Sequence, residues 1–325
     1  MLGAVALDRI AAQLRTSHGI AAKRDIAAAV ARLGVSVSHA IAVGDDCAAI
    51  PDGEGYLLLA IEGFMNEFVA SDPWFAGWCG VMVNISDVAA MGGRPIAVVD
   101  AVWAANEGDA DPVLTGMRSA SQAFGVPVVG GHTNLRADRR QLSVAILGRA
   151  KRLLSCFDAR PGDRLVTAID LRGRYREPFS NWEAATDAPP PRLRGDLEVL
   201  PAIAEAGLAL AAKDISQGGI AGTTMMLAEC SGVGATIEVA AIPHPEGVAL
   251  DRWLQTFPSY GYMLSVAPPK VPAIIRRFAD RGIAAADIGA ITKGSRVAIT
   301  DGHATETIWN FDREALTGCA RHSRN

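Results

Sequence analysis

Pro73 opens a long apolar segment, WFAGWCGVMVNISDVAAM, closed by Gly92 and Gly93. Trp74, Trp78, Val81, Ile85 and Val88 recur within it at helical spacing. A helix this apolar must be covered on most of its surface. Asn84 and Asp87 fall three apart on one face of it. An unpaired carboxylate is expensive to bury, so a metal, a ligand or a neighbouring loop must supply partners. A capping or interhelical hydrogen bond is the plainer alternative. Around this helix the hydrophobic period switches between two and 3.6. Strands are predicted at 56–61, 95–104, 126–129, 142–148, 165–169 and 208–213. Helices are predicted from Asp25 to the stop at Gly34, from Asp111 with Pro112 at its first position, over 196–206, and after GGIAG. The class is therefore mixed α and β.

At 325 residues the chain is long enough for two domains. Its composition changes near residue 151, so the domains are predicted as 1–152 and 153–325. The stretch 172–196 is polar and holds Pro189–Pro191 and the basic residues Arg172, Arg174 and Arg176. It reads either as a functional loop or lid, or as a solvated excursion. A net charge of −4 leaves no basic footprint for nucleic acid. The five cysteines are scattered and contain no CxxC, which fits a reducing cytoplasm and no zinc ribbon. The start MLGAVALDRI lacks the basic, apolar layout of a signal peptide, and no apolar run reaches membrane-spanning length.

Between Asp45 and Gly93 stand eight carboxylates, Asp45, Asp46, Asp52, Glu54, Glu62, Glu67, Asp72 and Asp87, with no Lys, Arg or His. Their neighbours are apolar and aromatic, so this is no acidic tail. Hard oxygen ligands of this kind suit Mg²⁺, which commonly takes one or two carboxylates plus substrate phosphates. Asp52 and Glu54, in a DGEG turn, read as solvated. Asp45 and Asp46, between AIAVG and CAAI, read as ligands. VGGHT (129–133) follows a predicted strand. Gly130 and Gly131 there allow close approach of a ligand, and His132 can bind a metal, move a proton or brace the turn. KDISQGGIAG (213–222) sets Asp214 at a strand end before Gly218, Gly219 and a helix N-terminus, an arrangement open to anions. Lys23 is placed to reach a phosphate or to lie on the surface. P-loop, GxGxxG, HExxH and GxSxG patterns are absent.

VGDDCAAI (43–50), VNISDVAAMGGRP (83–95), GGHT (130–133), RPGD (160–163) and KDISQGGIA (213–221) occur in that order. Together they resemble the aminoimidazole ribonucleotide (AIR) synthase-related superfamily, over about residues 20–300. The nearest likeness is to its uncharacterised branch that includes methanogenesis marker protein 2. The resemblance implies a two-domain PurM-like α/β (mixed α+β) fold, with N-terminal sheets pairing across a homodimer. It implies ATP in a cleft and Mg²⁺ on the family's acids. Carried over by motif from the thiamine-monophosphate kinases, those positions are Asp46 with Asp45, Glu62, Asp87, His132 and Asp214. Glu62 and His132 stand where that kinase has Asp, and Gln217 replaces the acid of DxSDG, which implies fewer metals and a different substrate.

The expectation is an ATP- and Mg²⁺-dependent enzyme moving a phosphoryl group to an oxygen of a small metabolite, with Arg172, Arg174 and Arg176 able to clamp an anionic one. Asp87, His132 and Asp214 are its expected catalytic residues. Lys23, Asn84, Gly130, Gly131, Gly218 and Gly219 are expected to meet the nucleotide, and Asp45, Asp46, Glu62, Asp87 and Asp214 the metal. A nucleotide-binding maturation factor acting on a partner protein and a thiamine-monophosphate kinase-like activity are the alternatives. Cys319 reads as inert.

Overall fold

The structure, a computed structural model, describes residues 4–35 and 41–320. Two compact units share the chain: Met1–Asp45, Leu153–Ala184 and Ala206–Asn325 form the first, and Asp46–Arg152 with Ala185–Glu205 the second. The chain starts in the first with α1 (Ala4–Arg15) and α2 (His18–Leu33). It crosses to the second for β1 (Ala48–Asp52), β2 (Gly55–Gly63), α3 (Asn66–Ser71), α4 (Pro73–Ala90), β3 (Arg94–Trp103), α5 (Glu107–Phe124), β4 (Val128–Asn134) and β5 (Gln141–Ala150). Back in the first it forms β6 (Arg164–Ile169), β7 (Arg174–Tyr175) and β8 (Asn181–Glu183), then lends α6 (Pro190–Leu197) and α7 (Val199–Glu205) to the second. The remainder, β9 (Ala211–Asp214), α8 (Gly219–Ser231), β10 (Gly234–Glu238), α9 (Leu250–Trp253), β11 (Phe257–Pro258), β12 (Gly261–Val266), α10 (Val271–Ala279), β13 (Ala284–Thr292), β14 (Arg296–Thr300) and β15 (Thr305–Asn310), stays in the first. None of the described helices is long and apolar enough to cross a membrane.

The second unit is a five-stranded sheet of order β1-β2-β5-β3-β4, with α4 on one face and α5 packed against α4. Strand alternation builds its core. Leu58, Val98, Val102, Leu142, Val144 and Ile146 point one way and are buried, together with Phe75, Val81, Ile85 and Val88 of α4. The other face keeps Leu59, Ile61, Val99, Val129 and Leu147 exposed. Asp72 starts α4 by accepting the Phe75 N–H, and Pro73 takes the first helical position. The lent segment is sewn on by arginines. Arg94 pairs with Glu198 (2.9 Å) and Glu205 (2.6 Å), and Arg194 donates to the carbonyls of Ala123 (3.0 Å) and Gln122 (2.7 Å) at the end of α5.

The first unit is a seven-stranded mixed sheet of order β15-β14-β10-β13-β6-β12-β9, and a small sheet of order β11-β8-β7 belongs to the same unit. Its core joins α1, α2 and α8 to that sheet through Leu7, Leu14, Ile20, Met225, Leu227, Ile237 and Trp253.

Several expected elements differ, among them the helix expected over 196–206, which is divided between α6 and α7, and the strand expected at 208–213, which is β9 (Ala211–Asp214). The helix stopped by Gly34 begins at His18 rather than near Asp25, because Ser17 caps Ile20. Helix α5 begins at Glu107, not at Asp111. Asn106 captures the Asp109 N–H, Asp109 returns to Ala105, and Pro112 is absorbed inside the helix. The strand expected at 126–129 runs instead from Val128 through GGHT to Asn134. The stretch 172–196 is not a solvated excursion throughout, since β7, β8 and α6 occupy about half of it.

Candidate metal and nucleotide site

Two acids predicted as ligands meet in the second unit. Asp46 is half-buried ahead of β1, and Asp87 is buried on α4. Their nearest carboxylate oxygens lie within 4.8 Å of each other. Two negative charges at about 4 Å repel by about 4 kcal/mol at the effective dielectric of a protein surface, and a shared cation relieves that. Asn84, one turn before Asp87, is fully buried at 0% exposure. Its Nδ2 donates to the Gly80 carbonyl at 2.8 Å, while its Oδ1 is buried with no hydrogen-bond partner among the described residues. A buried acceptor of this kind costs about 1–3 kcal/mol unless something donates to it or coordinates it. The donor set, two carboxylates and an amide oxygen, is the hard-oxygen chemistry that Mg²⁺ takes.

Asp45 has other duties. Its Oδ2 accepts the Ser155 hydroxyl at 2.6 Å, and both oxygens lie 3.2 Å from the Cys156 amide nitrogen, all within the first unit. It therefore anchors the GDD turn. Glu62 is half-buried on β2, opposite Val144 in the register with β5.

His132 does not join β1's edge of the sheet. Strand β4 is the opposite edge, paired in parallel with β3, and every residue from Val128 to Asn134 is exposed. The imidazole stands 6.1 Å from the Trp103 ring, centroid to centroid. Gly130 and Gly131 lie inside this strand rather than in a turn after one. Gly131 is needed for space, since a Cβ there would meet the Asp100 carboxylate at 2.6 Å. Asp100 itself is a residue the sequence reading passes over. It is half-buried on β3, makes no hydrogen bond or ion pair among the described residues, and burial pushes its carboxyl above the usual range. Its signal was an acid inside the apolar run AVVDAVW.

In the first unit, Asp214 ends β9 and is buried at 4% exposure. The turn that follows takes Gly218 to φ 96° and Gly219 to φ 61°, conformations that favour glycine. Helix α2 packs directly on this turn, where a Cβ at Gly19 would lie 2.5 Å from the Gly218 nitrogen. That packing brings Lys23 to the turn, and its Nζ donates to Ser216 Oγ at 3.2 Å. Lys23, Gly218 and Gly219 are thus brought together at one turn. The N-terminus of α8 is narrower as an anion site than its sequence suggests. Gly219 donates to Ser216 O (2.9 Å) and Ala221 to Leu254 O (3.4 Å).

Arg172 is not placed as an anion clamp. Its Nε and NH2 grip Asp170 at 2.8 and 3.1 Å, and its NH1 donates to the Arg281 carbonyl at 3.3 Å. Nearby, Arg252 lies 3.5 Å over the Tyr175 ring and bonds Glu177 at 2.7 Å.

Comparison with known proteins agrees with this picture. The family model described as AIR synthase related protein, N-terminal domain, matches residues 44–150, and its C-terminal counterpart matches residues 180–302. The chain is 45% identical over 312 residues to the uncharacterised protein sll0787 of Synechocystis sp., covering 94% of this chain and 96% of that one. It is 30% identical over 220 residues to the thiamine-monophosphate kinase of Pyrococcus abyssi, 63% of this chain and 69% of the kinase. Among solved structures, T. maritima PurL complexed with AMPPCP superposes at TM-score 0.72 and 18% identity over 94% of this chain, which spans 50% of the PurL chain. AaThiL complexed with AMPPCP and TMP superposes at TM-score 0.66 and 20% identity, covering 85% of this chain and 93% of that one. At those identities the likenesses establish the fold.

Proposed function

We propose, from the premise that this chain belongs to the AIR synthase related protein family, that it is an ATP- and Mg²⁺-dependent enzyme transferring a phosphoryl group to an oxygen of a small metabolite. The observation that carries this reading is the Asp46–Asp87 pair, together with the orphaned Asn84 Oδ1 one turn before Asp87 on α4. Asp46 and Asp87 would hold Mg²⁺ within the second unit, and Asn84, one turn earlier on α4, is the further oxygen donor proposed there. Bound there, the ion neutralises charge that builds on the triphosphate. Lys23 and the Gly218–Gly219 turn would receive phosphate oxygens. Asp45 is left out of the ligand set, because Ser155 and Cys156 occupy its oxygens. Two solved structures of the same fold, T. maritima PurL complexed with AMPPCP and AaThiL complexed with AMPPCP and TMP, support nucleotide use in this fold. Thiamine monophosphate is disfavoured as the acceptor, since Glu62, His132 and Gln217 depart from that kinase's acids.

We also propose a cytoplasmic homodimer, in which a second copy covers the apolar outer face formed by Leu59, Ile61, Val99, Val129 and Leu147. A monomer by light scattering at micromolar concentration overturns that part. The central reading is tested by calorimetric titration of Mg²⁺–AMPPCP into Asp46→Asn and Asp87→Asn. Each variant is expected to lose at least about tenfold in affinity while keeping the wild-type circular dichroism. Unchanged affinity in both removes the assignment.

A further inference from the structure

The last described residues of the chain are fastened to the same turn that delivers Asp46. Glu229, on α8, is buried at 3% exposure. One of its oxygens accepts the Leu316 N–H at 2.7 Å and the Gly318 N–H at 3.3 Å. The other accepts the Thr317 N–H at 2.7 Å and the Thr317 hydroxyl at 2.5 Å. Four donors on one buried carboxylate form a strong, charge-assisted clasp. Thr317 Oγ1 in turn accepts the Cys319 N–H at 3.3 Å, which sets the direction of the next side chain.

That side chain meets Gly44. A Cβ added at Gly44 would overlap the Cys319 Cβ and come within 3.4 Å of Cys230 Sγ. Gly44 sits at φ 124°, a conformation for which glycine is also required. Its carbonyl receives the thiols of Cys156 (3.6 Å) and Cys230 (3.5 Å), and the next residue, Asp45, is held by Ser155 and Cys156. Gly44 and Asp45 are therefore gripped on every side by first-unit residues, one peptide bond before Asp46.

We propose that Glu229 is a positioning residue for Asp46: by clasping residues 316–318 it presses Cys319 against Gly44 and holds the turn from which Asp46 emerges. This rests on the reading of Asp46 as a cation ligand. The buried thiols act here as packing and as weak donors, and burial keeps Cys156 and Cys319 in the protonated form that this needs.

The experiment uses the full chain. Glu229→Gln replaces an acceptor with an NH₂ that faces N–H donors, and Thr317→Val removes the hydroxyl from both of its bonds. Ile274→Val, in the core of α10, is the control for general loosening. Two quantities are read: Mn²⁺ affinity with the metal alone, by paramagnetic resonance, and amide exchange of the peptide spanning Gly44–Asp46. Glu229→Gln is expected to weaken Mn²⁺ by about tenfold and to accelerate exchange across Gly44–Asp46, Thr317→Val to do the same to a smaller degree, and Ile274→Val to do neither. If Glu229→Gln does not fold, Thr317→Val carries the test. Faster exchange at 316–319 with unchanged exchange at Gly44–Asp46 overturns the proposal. Absence of Mn²⁺ binding in the wild type would instead overturn the ligand role of Asp46, while the exchange comparison still decides the mechanical link.

Discussion

Gly77 of α4 and Gly116 of α5 face each other across a helix crossing so close that neither position has room for a Cβ. One at Gly77 would overlap the Val113 carbonyl, and one at Gly116 the Trp74 carbonyl. Backbone touches backbone there, and α4 is held at a fixed rotation, with the Asp87 carboxylate near that of Asp46. Gly77→Ala should therefore destabilise the protein by about 1–3 kcal/mol, read as a lower denaturation midpoint. An unchanged midpoint would show that the crossing relaxes freely.

Asn84 offers a separation of stability from binding. Asn84→Leu removes a buried acceptor that nothing satisfies, together with one hydrogen bond to Gly80. The melting temperature should hold or rise, yet the thermal shift given by Mg²⁺–AMPPCP should vanish. A variant that melts earlier and keeps its ligand shift would make Asn84 purely structural.

Asp100 gives a pH dependence. Burial raises its carboxyl in the folded state above the unfolded value. The folded protein therefore binds this proton more tightly, and the associated stability is present in acid and lost as pH rises through the folded value. Asp100→Asn should melt higher than wild type at neutral pH, and the advantage should fade on acidification toward the unfolded carboxylate range. An advantage independent of pH would remove burial of the charge as its cause.

His132 is exposed on an edge strand, so His132→Ala should leave the melting temperature within about 2 °C. Under the proposed function it should lower turnover or substrate affinity with little change in the Mg²⁺ requirement. A large loss of stability would assign His132 to bracing the strand.

Arg172 should behave as a structural residue. Arg172→Ala strips two guanidinium hydrogen bonds from the buried Asp170, and about 2–3 kcal/mol should be lost. Wild-type stability with weakened anion binding would restore the clamp.

Much of the second unit is legible in the sequence, for identifiable reasons. The run from Trp74 to Met91 has one period, a proline at its start and glycines at its end, and α4 follows it. β5 alternates in burial along its length, and β2 from Leu58 onward, because one face of each is covered. The start of α5 is misread, because Pro112 is a stronger local signal than the Asn106 cap that governs it. The glycines of GGHT look like a turn when judged by backbone freedom. The reason for Gly131 lies on the neighbouring strand in Asp100, a contact that no local pattern reports. Asp45 and Asp46 look equivalent side by side, and only the loop at Ser155–Cys156, more than a hundred residues away, tells them apart. The grip of Glu229 on residues 316–318 is invisible for the same reason.

The interleaving of the two units bears on how the chain matures at the ribosome. The second unit opens at Asp46, but its last contribution, Ala185–Glu205, is synthesised after a return to the first. Its sheet can pair early, while Arg94 waits for Glu198 and Glu205. The first unit waits longer still. Helix α1 is made at the outset, yet β14 and β15, against which it packs, are nearly the last strands to emerge. Vectorial folding in order of synthesis is thus closed to the opening helices. Leu7, Ile10 and Leu14 therefore lack part of their cover until β14 and β15 have emerged.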